Sequence, residues 1–201
     1  MQCIKWIVTL ALCGSTFVWA DVGMITQLNG EVSITTGSST QAAAPFIKVN
    51  TGDKLTLANG ARVQMVYFGN GRQEVWKGGG QIEVGSLESK SAIKPDVSQL
   101  PPLVALQLAK MPVAGQQSKT GMIRMRSLGA SDPAAKLDKQ YGDLKRNADA
   151  DDTTPEVYLL SGLIELKDFK RAKSVLAELD GKAGYKPVLD YFSPMVNAGG
   201  K

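Results

Sequence analysis

Between residues 22 and 86, apolar and polar side chains alternate in short runs separated by glycine. That is the period of half-buried strands, not of helices. Met24, Thr26 and Leu28 oppose Ile25 and Gln27 in the first run; Asn29-Gly30 then turns into Glu31–Thr35, where Val32 and Ile34 share a face. Asn-Gly between two such runs predicts a hairpin, because both residues tolerate positive φ. Ser38–Pro45 reads as a loop. Phe46–Val49, Leu55–Leu57, Arg62–Phe68, Gln73–Trp76 and Gln81–Val84 read as strands, punctuated by Thr51-Gly52-Asp53, Asn59-Gly60, Gly69-Asn70-Gly71 and Gly78-Gly79-Gly80. The expectation is an all-β unit of six or seven short strands.

The period changes further along. Leu103–Ala109 is a short apolar helix candidate expected to pack on the β core, and Met122–Arg126 a candidate further strand at its edge. Ser131-Asp132-Pro133 predicts a helix start, followed by a stripe of Ala134, Leu137, Tyr141 and Leu144. Thr153-Thr154-Pro155-Glu156 reads as a capping box opening a helix through Leu166. A turn at Lys167-Asp168 leads to a second stripe of Phe169, Ala172, Leu176 and Leu179, ended by Gly181. A final helix is expected over 187–192, stopping before Pro194.

Two family likenesses rest on these residues. The succession GMITQLNGEVSI, VNTGDKLTLANGARVQMVYFGNGRQEVW and QIEV resembles a FecR domain, with Gly30, Val32, Gly52, Asp53, Leu55, Gly60, Val63, Val66, Phe68 and Gly71 at matching positions. Asn70 stands where an aspartate is usual, an exchange a turn tolerates. The resemblance covers about a third of the chain and implies an extracytoplasmic β module of the kind found in iron-transport signalling regulators and other envelope proteins. The stretch YLLSGLIELKDFKRAKSVLAEL is similar to a single tetratricopeptide-type unit, with Leu159, Leu163, Phe169, Ala172 and Leu176 at the packing sites and Leu160 where a small residue is usual. Repeat arrays need about three units to bury their faces, so a helical hairpin that docks on neighbours is expected. The fold class is therefore α+β by segregation: an N-terminal all-β FecR-like unit of short antiparallel or solenoid-like strands, then a C-terminal α-helical hairpin region. The expected divisions are 1–20, 21–127 (β core 22–86, with a bridging segment) and 128–201.

Residues 1–20 carry an address. Lys5 precedes an apolar run from Trp6 to Cys13, and Val18-Trp19-Ala20 supplies tolerable −3 and −1 residues for cleavage between Ala20 and Asp21. This is the layout of a secretory signal peptide; the run is about half the roughly 20 residues a bilayer span needs. Leu12 directly before Cys13 is unsuited to a lipoprotein site. Cleavage removes both cysteines, two of the three tryptophans and one positive charge from a formal net of +4. The exported chain would then be free of thiols in an oxidising compartment and without a membrane span.

Composition narrows the chemistry. Of 201 residues none is histidine, which excludes Ser-His-Asp and Cys-His catalysis and imidazole metal sites. Asn147, Asp149, Asp151 and Asp152 imitate the start of a calcium loop, but Asp152 stands where glycine is needed and Tyr158 where a bidentate glutamate is needed. Acids ahead of a helix are favourable against its dipole, which accounts for them. Gly69–Glu74 lacks the third glycine of a dinucleotide fingerprint and sits between strands. Lys167, Lys170, Arg171 and Lys173 alternate with Asp168 instead of aromatics, a solvated face and not a nucleic-acid site. No catalytic, cofactor-binding or metal-ligating residue is nominated.

Trp76 is expected in the β core, with a surface role stacking on a sugar or partner as the alternative; Trp76, Arg72 and Tyr67 are the candidate ligand or partner contacts. The sequence points to a non-catalytic binding or scaffolding protein of the bacterial envelope, periplasmic or secreted, with a protein partner. A carbohydrate or peptidoglycan module is the second reading. A membrane-anchored signalling regulator is the third; it needs an uncleaved anchor, and five residues ahead of the apolar run leave no room for an anti-sigma segment.

Overall fold

A computed structural model describes residues 21–113 and 132–200. The expected leader with Ala20, and the candidate strand at Met122–Arg126, lie outside the described residues; Asp21 is the first residue of the first strand. Ten strands and five helices are described: β1 (Asp21–Asn29), β2 (Val32–Thr36), β3 (Ser39–Ala42), β4 (Lys48–Asn50), β5 (Lys54–Leu57), β6 (Arg62–Tyr67), β7 (Arg72–Lys77), β8 (Gly80–Glu83), β9 (Lys90–Ser91), β10 (Asp96–Gln99), α1 (Pro102–Ala109), α2 (Pro133–Asn147), α3 (Thr154–Glu165), α4 (Phe169–Leu179) and α5 (Lys186–Gly199). The architecture is α+β, with two antiparallel five-stranded sheets. Sheet A has the order β10-β7-β6-β1-β4 and sheet B the order β3-β2-β5-β8-β9.

The sheets pack face to face. Ile25, Val49, Val63, Met65, Tyr67 and Trp76 of sheet A meet Val32, Ile34, Leu55, Leu57 and Ile82 of sheet B in one core. The other face of sheet A carries Met24 and Val66 into a second core with the helices. Sheet A is thus the middle of three layers, which explains why Val63 to Tyr67 are all buried although their side chains alternate. A strand covered on both faces loses the polar half of its pattern.

Asn29-Gly30 does not make the expected hairpin. β1 pairs with β4 and β6, while β2 pairs with β3 and β5. Asn59-Gly60 likewise joins β5 of sheet B to β6 of sheet A. The continuous ribbon β1–β2 runs antiparallel to the ribbon β5–β6, and each passes from one sheet to the other at its Asn-Gly. At this corner Gly30 has φ 83°, and a Cβ there would meet the Ala61 Cα at 3.0 Å. A local turn preference reports backbone dihedrals, not the strand that the next run will pair with. Gly52-Asp53 marks a third crossing, where Asp53 Oδ2 accepts from the Asn50 N–H at 2.8 Å. All described pairings are antiparallel, so the strands do not form a solenoid. Ser39–Ala42, expected within a loop, forms an edge strand on β2.

α2 starts where expected, with Asp132 accepting from the Ala134 N–H at 3.0 Å. α3 does not use Thr153 as its cap. The Asp152 carboxylate takes the Thr154 N–H at 2.8 Å, and Glu156 is committed to Lys145 and Tyr141. A charged acceptor within reach displaces the weaker hydroxyl. α3 and α4 form the expected hairpin, with Gly181 at φ 75° just beyond α4. α5 runs through Pro194 to Gly199 instead of stopping before the proline. The lost N–H and ring clash weaken one turn, but Val188, Phe192 and Val196 bury one continuous stripe that carries the helix across it. α1 delivers Val104 and Leu108 to the core it shares with the helices.

Candidate binding face

The outward side of sheet B is built by strict alternation. Val32 and Ile34 of β2, Leu55 and Leu57 of β5 and Ile82 of β8 point inward. Their neighbours Ser33, Thr35, Lys54, Thr56, Gln81 and Glu83 therefore point out, and the last four are exposed. Register aligns them in rows: Thr40, Thr35, Lys54, Glu83 and Lys90 cross all five strands, and Ala42, Ser33, Thr56 and Gln81 run beside them. The Thr35 and Thr40 hydroxyls are 2.8 Å apart. The result is a face of hydroxyl, amide and charged groups backed by the core between the sheets. Of its five strands β2, β5 and β8 are visible in the sequence while β3 and β9 are not, and the rows themselves depend on the sheet order.

The three nominated contacts do not share a surface. Trp76 is 1% and Tyr67 0% exposed. Both belong to the core between the sheets, so neither presents a ring for a ligand to stack on. Trp76 takes the core position its strand pattern favoured. Its Nε1–H donates to Glu74 Oε2 at 3.1 Å, and the Tyr67 hydroxyl lies 2.7 Å from Ser89 Oγ. Burial, reinforced by the Glu74 charge and outweighing the Ser89 hydrogen bond, pushes the Tyr67 pKa up to about 12. Arg72 is partly exposed. Its Nε–H donates to Glu74 Oε1 at 2.6 Å, an oxygen that also accepts from the Ser89 N–H at 3.2 Å. Glu74 is fully buried, and a buried carboxylate needs such donors. Arg72 thus works as its counter-charge.

Two other polar constellations are structural by their geometry. Glu156, buried among α2, α3 and the start of α5, accepts from Lys145 Nζ at 2.5 Å and the Tyr141 hydroxyl at 3.4 Å. Burial opposes the Lys145 charge, but the Glu156 hydrogen bond and charge outweigh it and raise the lysine pKa. An ammonium held protonated is no nucleophile. Asp151 and Asp152, the residues that imitate a calcium loop, tie the helices to sheet A. Asp152 Oδ1 accepts from Gln64 Nε2 at 2.8 Å, and Oδ2 accepts from Gln73 Nε2 at 3.2 Å. Asp151 pairs with Arg62, and its carbonyl accepts from Gln27 Nε2 at 2.8 Å.

A cleft of about 220 Å³ opens along this seam, bordered by Thr26, Asn29, Phe46, Thr153, Pro187 and Val188. It is smaller than the roughly 300 Å³ at which small-molecule pockets begin. Among the described residues no three acidic or cysteine side chains are grouped to hold a metal ion, and no helix is long and apolar enough to cross a membrane. Compared with protein-family models, curated proteins and solved structures, the chain matches none.

Proposed function

We propose that this chain is a non-catalytic binding or scaffolding protein of the bacterial envelope, carrying a FecR-like β module and exported by its N-terminal leader. The observation that carries the reading is the division of labour between the sheets. Sheet A is covered on both faces, by sheet B and by the helices. Its glutamine, glutamate and arginine side chains are spent on internal contacts. Sheet B offers a polar face on that support. Polar surfaces with few large apolar anchors suit partners that dock and release, because the hot spots of tight interfaces are aromatic or arginine side chains in dry pockets. The partner is a protein of the same compartment.

Site-specific photo-cross-linking tests this. A photoreactive residue at Thr56, in the middle of the face, should give one defined adduct in envelope fractions. The same residue at Lys182, on the helical layer, should not. Equal adduct patterns from both positions, or none from Thr56, would overturn the proposal.

A further inference from the structure

Among the described residues four strand edges end the two sheets: β10 and β4 in sheet A, β3 and β9 in sheet B. Exposed edges invite pairing with other chains, and natural proteins blunt them with charge, proline or brevity. Three of the four are blunted here. β4 has three residues and carries Lys48, paired with Asp21 at 3.1 Å. β9 has two residues and carries Lys90. β10 follows Pro95 and carries Asp96, paired with Lys77 at 2.8 Å. β3 has none of these devices. Ser39, Thr40, Gln41 and Ala42 are uncharged, proline-free and all exposed.

The ladder shows which main-chain groups are free. The Ala43 N–H donates to the Val32 carbonyl at 2.8 Å, so Val32 and Ala43 form a hydrogen-bonded pair. Alternation along an antiparallel pair then assigns Gln41 to bonding with Ile34 and Ser39 to bonding with Thr36. The N–H and C=O groups of Thr40 and Ala42 point away from β2.

We propose that this edge pairs antiparallel with β3 of a second copy, giving a reversible dimer in which sheet B runs continuously through both molecules. A two-fold axis through Gln41 sets Thr40 opposite the partner's Ala42, and Ala42 opposite the partner's Thr40. All four free N–H and C=O groups of each strand are thereby used. Gln41 faces its own counterpart, and no charge stands opposite a like charge, which is why a second copy fits this edge. A few main-chain hydrogen bonds, each of modest net worth in water, set against the loss of translational freedom, make the dimer weak and concentration-dependent.

The test is sedimentation velocity over a concentration series of the leaderless protein. Wild type should shift from monomer to dimer. Ala42→Pro removes an N–H that the fold does not use, at a position where an edge strand tolerates proline. It should weaken the dimer about tenfold or more with the circular dichroism unchanged. Gln41→Lys, which places two lysines together at the axis, should also weaken it, and mixing Gln41→Lys with Gln41→Glu should restore association. Wild type that stays monomeric throughout overturns the proposal. So does a dimer indifferent to Ala42→Pro and Gln41→Lys, or a lysine–glutamate mixture that associates no better than either variant alone.

Discussion

Gln64 of β6 donates its Nε2–H to the Asp152 carboxylate ahead of α3, 88 residues later in the chain, at 2.8 Å and out of contact with solvent. The same Nε2 lies 2.9 Å from the Thr154 hydroxyl, and Asp152 also serves Gln73 and the Thr154 N–H. One carboxylate therefore caps a helix and fastens it to a sheet. Asp152→Ala leaves three buried donors short of an acceptor and should cost about 3 kcal/mol. Asp152→Asn keeps one acceptor oxygen and should cost about 1 kcal/mol. Urea unfolding of the two variants checks the order, and a double-mutant cycle with Gln64→Ala should return a coupling of about 1 to 2 kcal/mol. Additive effects would show that the contact fastens nothing.

Phe46 is the apolar counterpart of that latch. It leaves the β unit at φ 64°, its N–H donates to the Ile25 carbonyl at 2.7 Å, and its ring packs 4.7 Å from Tyr191 and 6.3 Å from Phe192 of α5. Truncation to alanine removes a buried ring at a cost of about 3 to 4 kcal/mol. Phe46→Gly loses the same ring but relieves a left-handed backbone that costs a side-chain-bearing residue about 1 kcal/mol. Glycine should therefore be the milder of the two substitutions, against their usual order in folded elements. Thermal and urea unfolding of both variants decide it; alanine proving milder would mean the positive φ is not under strain.

These two anchors also show where sequence legibility ends. Strands such as Arg62–Tyr67 and helices such as Phe169–Leu179 are visible in their periods, because each buries a regular set of apolar residues. Positions of the Asn-Gly turns are visible too, but their passage between sheets depends on which distant ribbon lies alongside. Gln64 and Gln73 are a usable signal: two amides that alternate with Val66 and Val75 on the helix-facing side of β6 and β7 imply a polar partner from elsewhere. Which acid supplies it is decided by a contact across the whole chain. Ser39–Ala42 buries nothing and so leaves no hydrophobic trace, although its ladder to β2 makes it a strand. Pro194 reads as a stop on local propensity alone, whereas the stripe of Val188, Phe192 and Val196 carries α5 past it.

Lys167 joins α3 to α4 at φ 60°. Its N–H donates to the Ile164 carbonyl at 3.0 Å, and the Asp168 N–H donates to the Leu163 carbonyl at 2.9 Å. This is the Schellman pattern, whose left-handed position is most often glycine. The lysine side chain is exposed. Lys167→Gly should stabilise the protein by about 0.5 to 1 kcal/mol, the left-handed relief less the added freedom of the unfolded chain. Lys167→Ala keeps the strain and should be close to neutral. A fall in urea midpoint for the glycine variant would contradict this account of the turn.

Alkali should act through the tyrosines. All five have pKa values raised above the ordinary 10, burial being the first cause in each. Nearby carboxylates add to it: Glu74 for Tyr67, Glu156 for Tyr141 and Tyr185, and Glu165 for Tyr158. A raised folded-state value means the native protein holds its phenolic protons where the unfolded chain releases them. The stability tied to this is fully present below pH 10 and falls as pH rises through the folded values. Tyr67 alone, going from 10 to about 12, accounts for about 2 kcal/mol of that loss by pH 12. Phenolate absorbance should therefore stay low as pH passes 10, then rise together with the loss of circular dichroism in one transition. Tyr67→Phe gives up the Ser89 hydrogen bond at neutral pH, but its stability should decline less steeply with rising pH than that of wild type. A smooth phenolate titration around pH 10 in a protein that stays folded would show that these hydroxyls reach solvent.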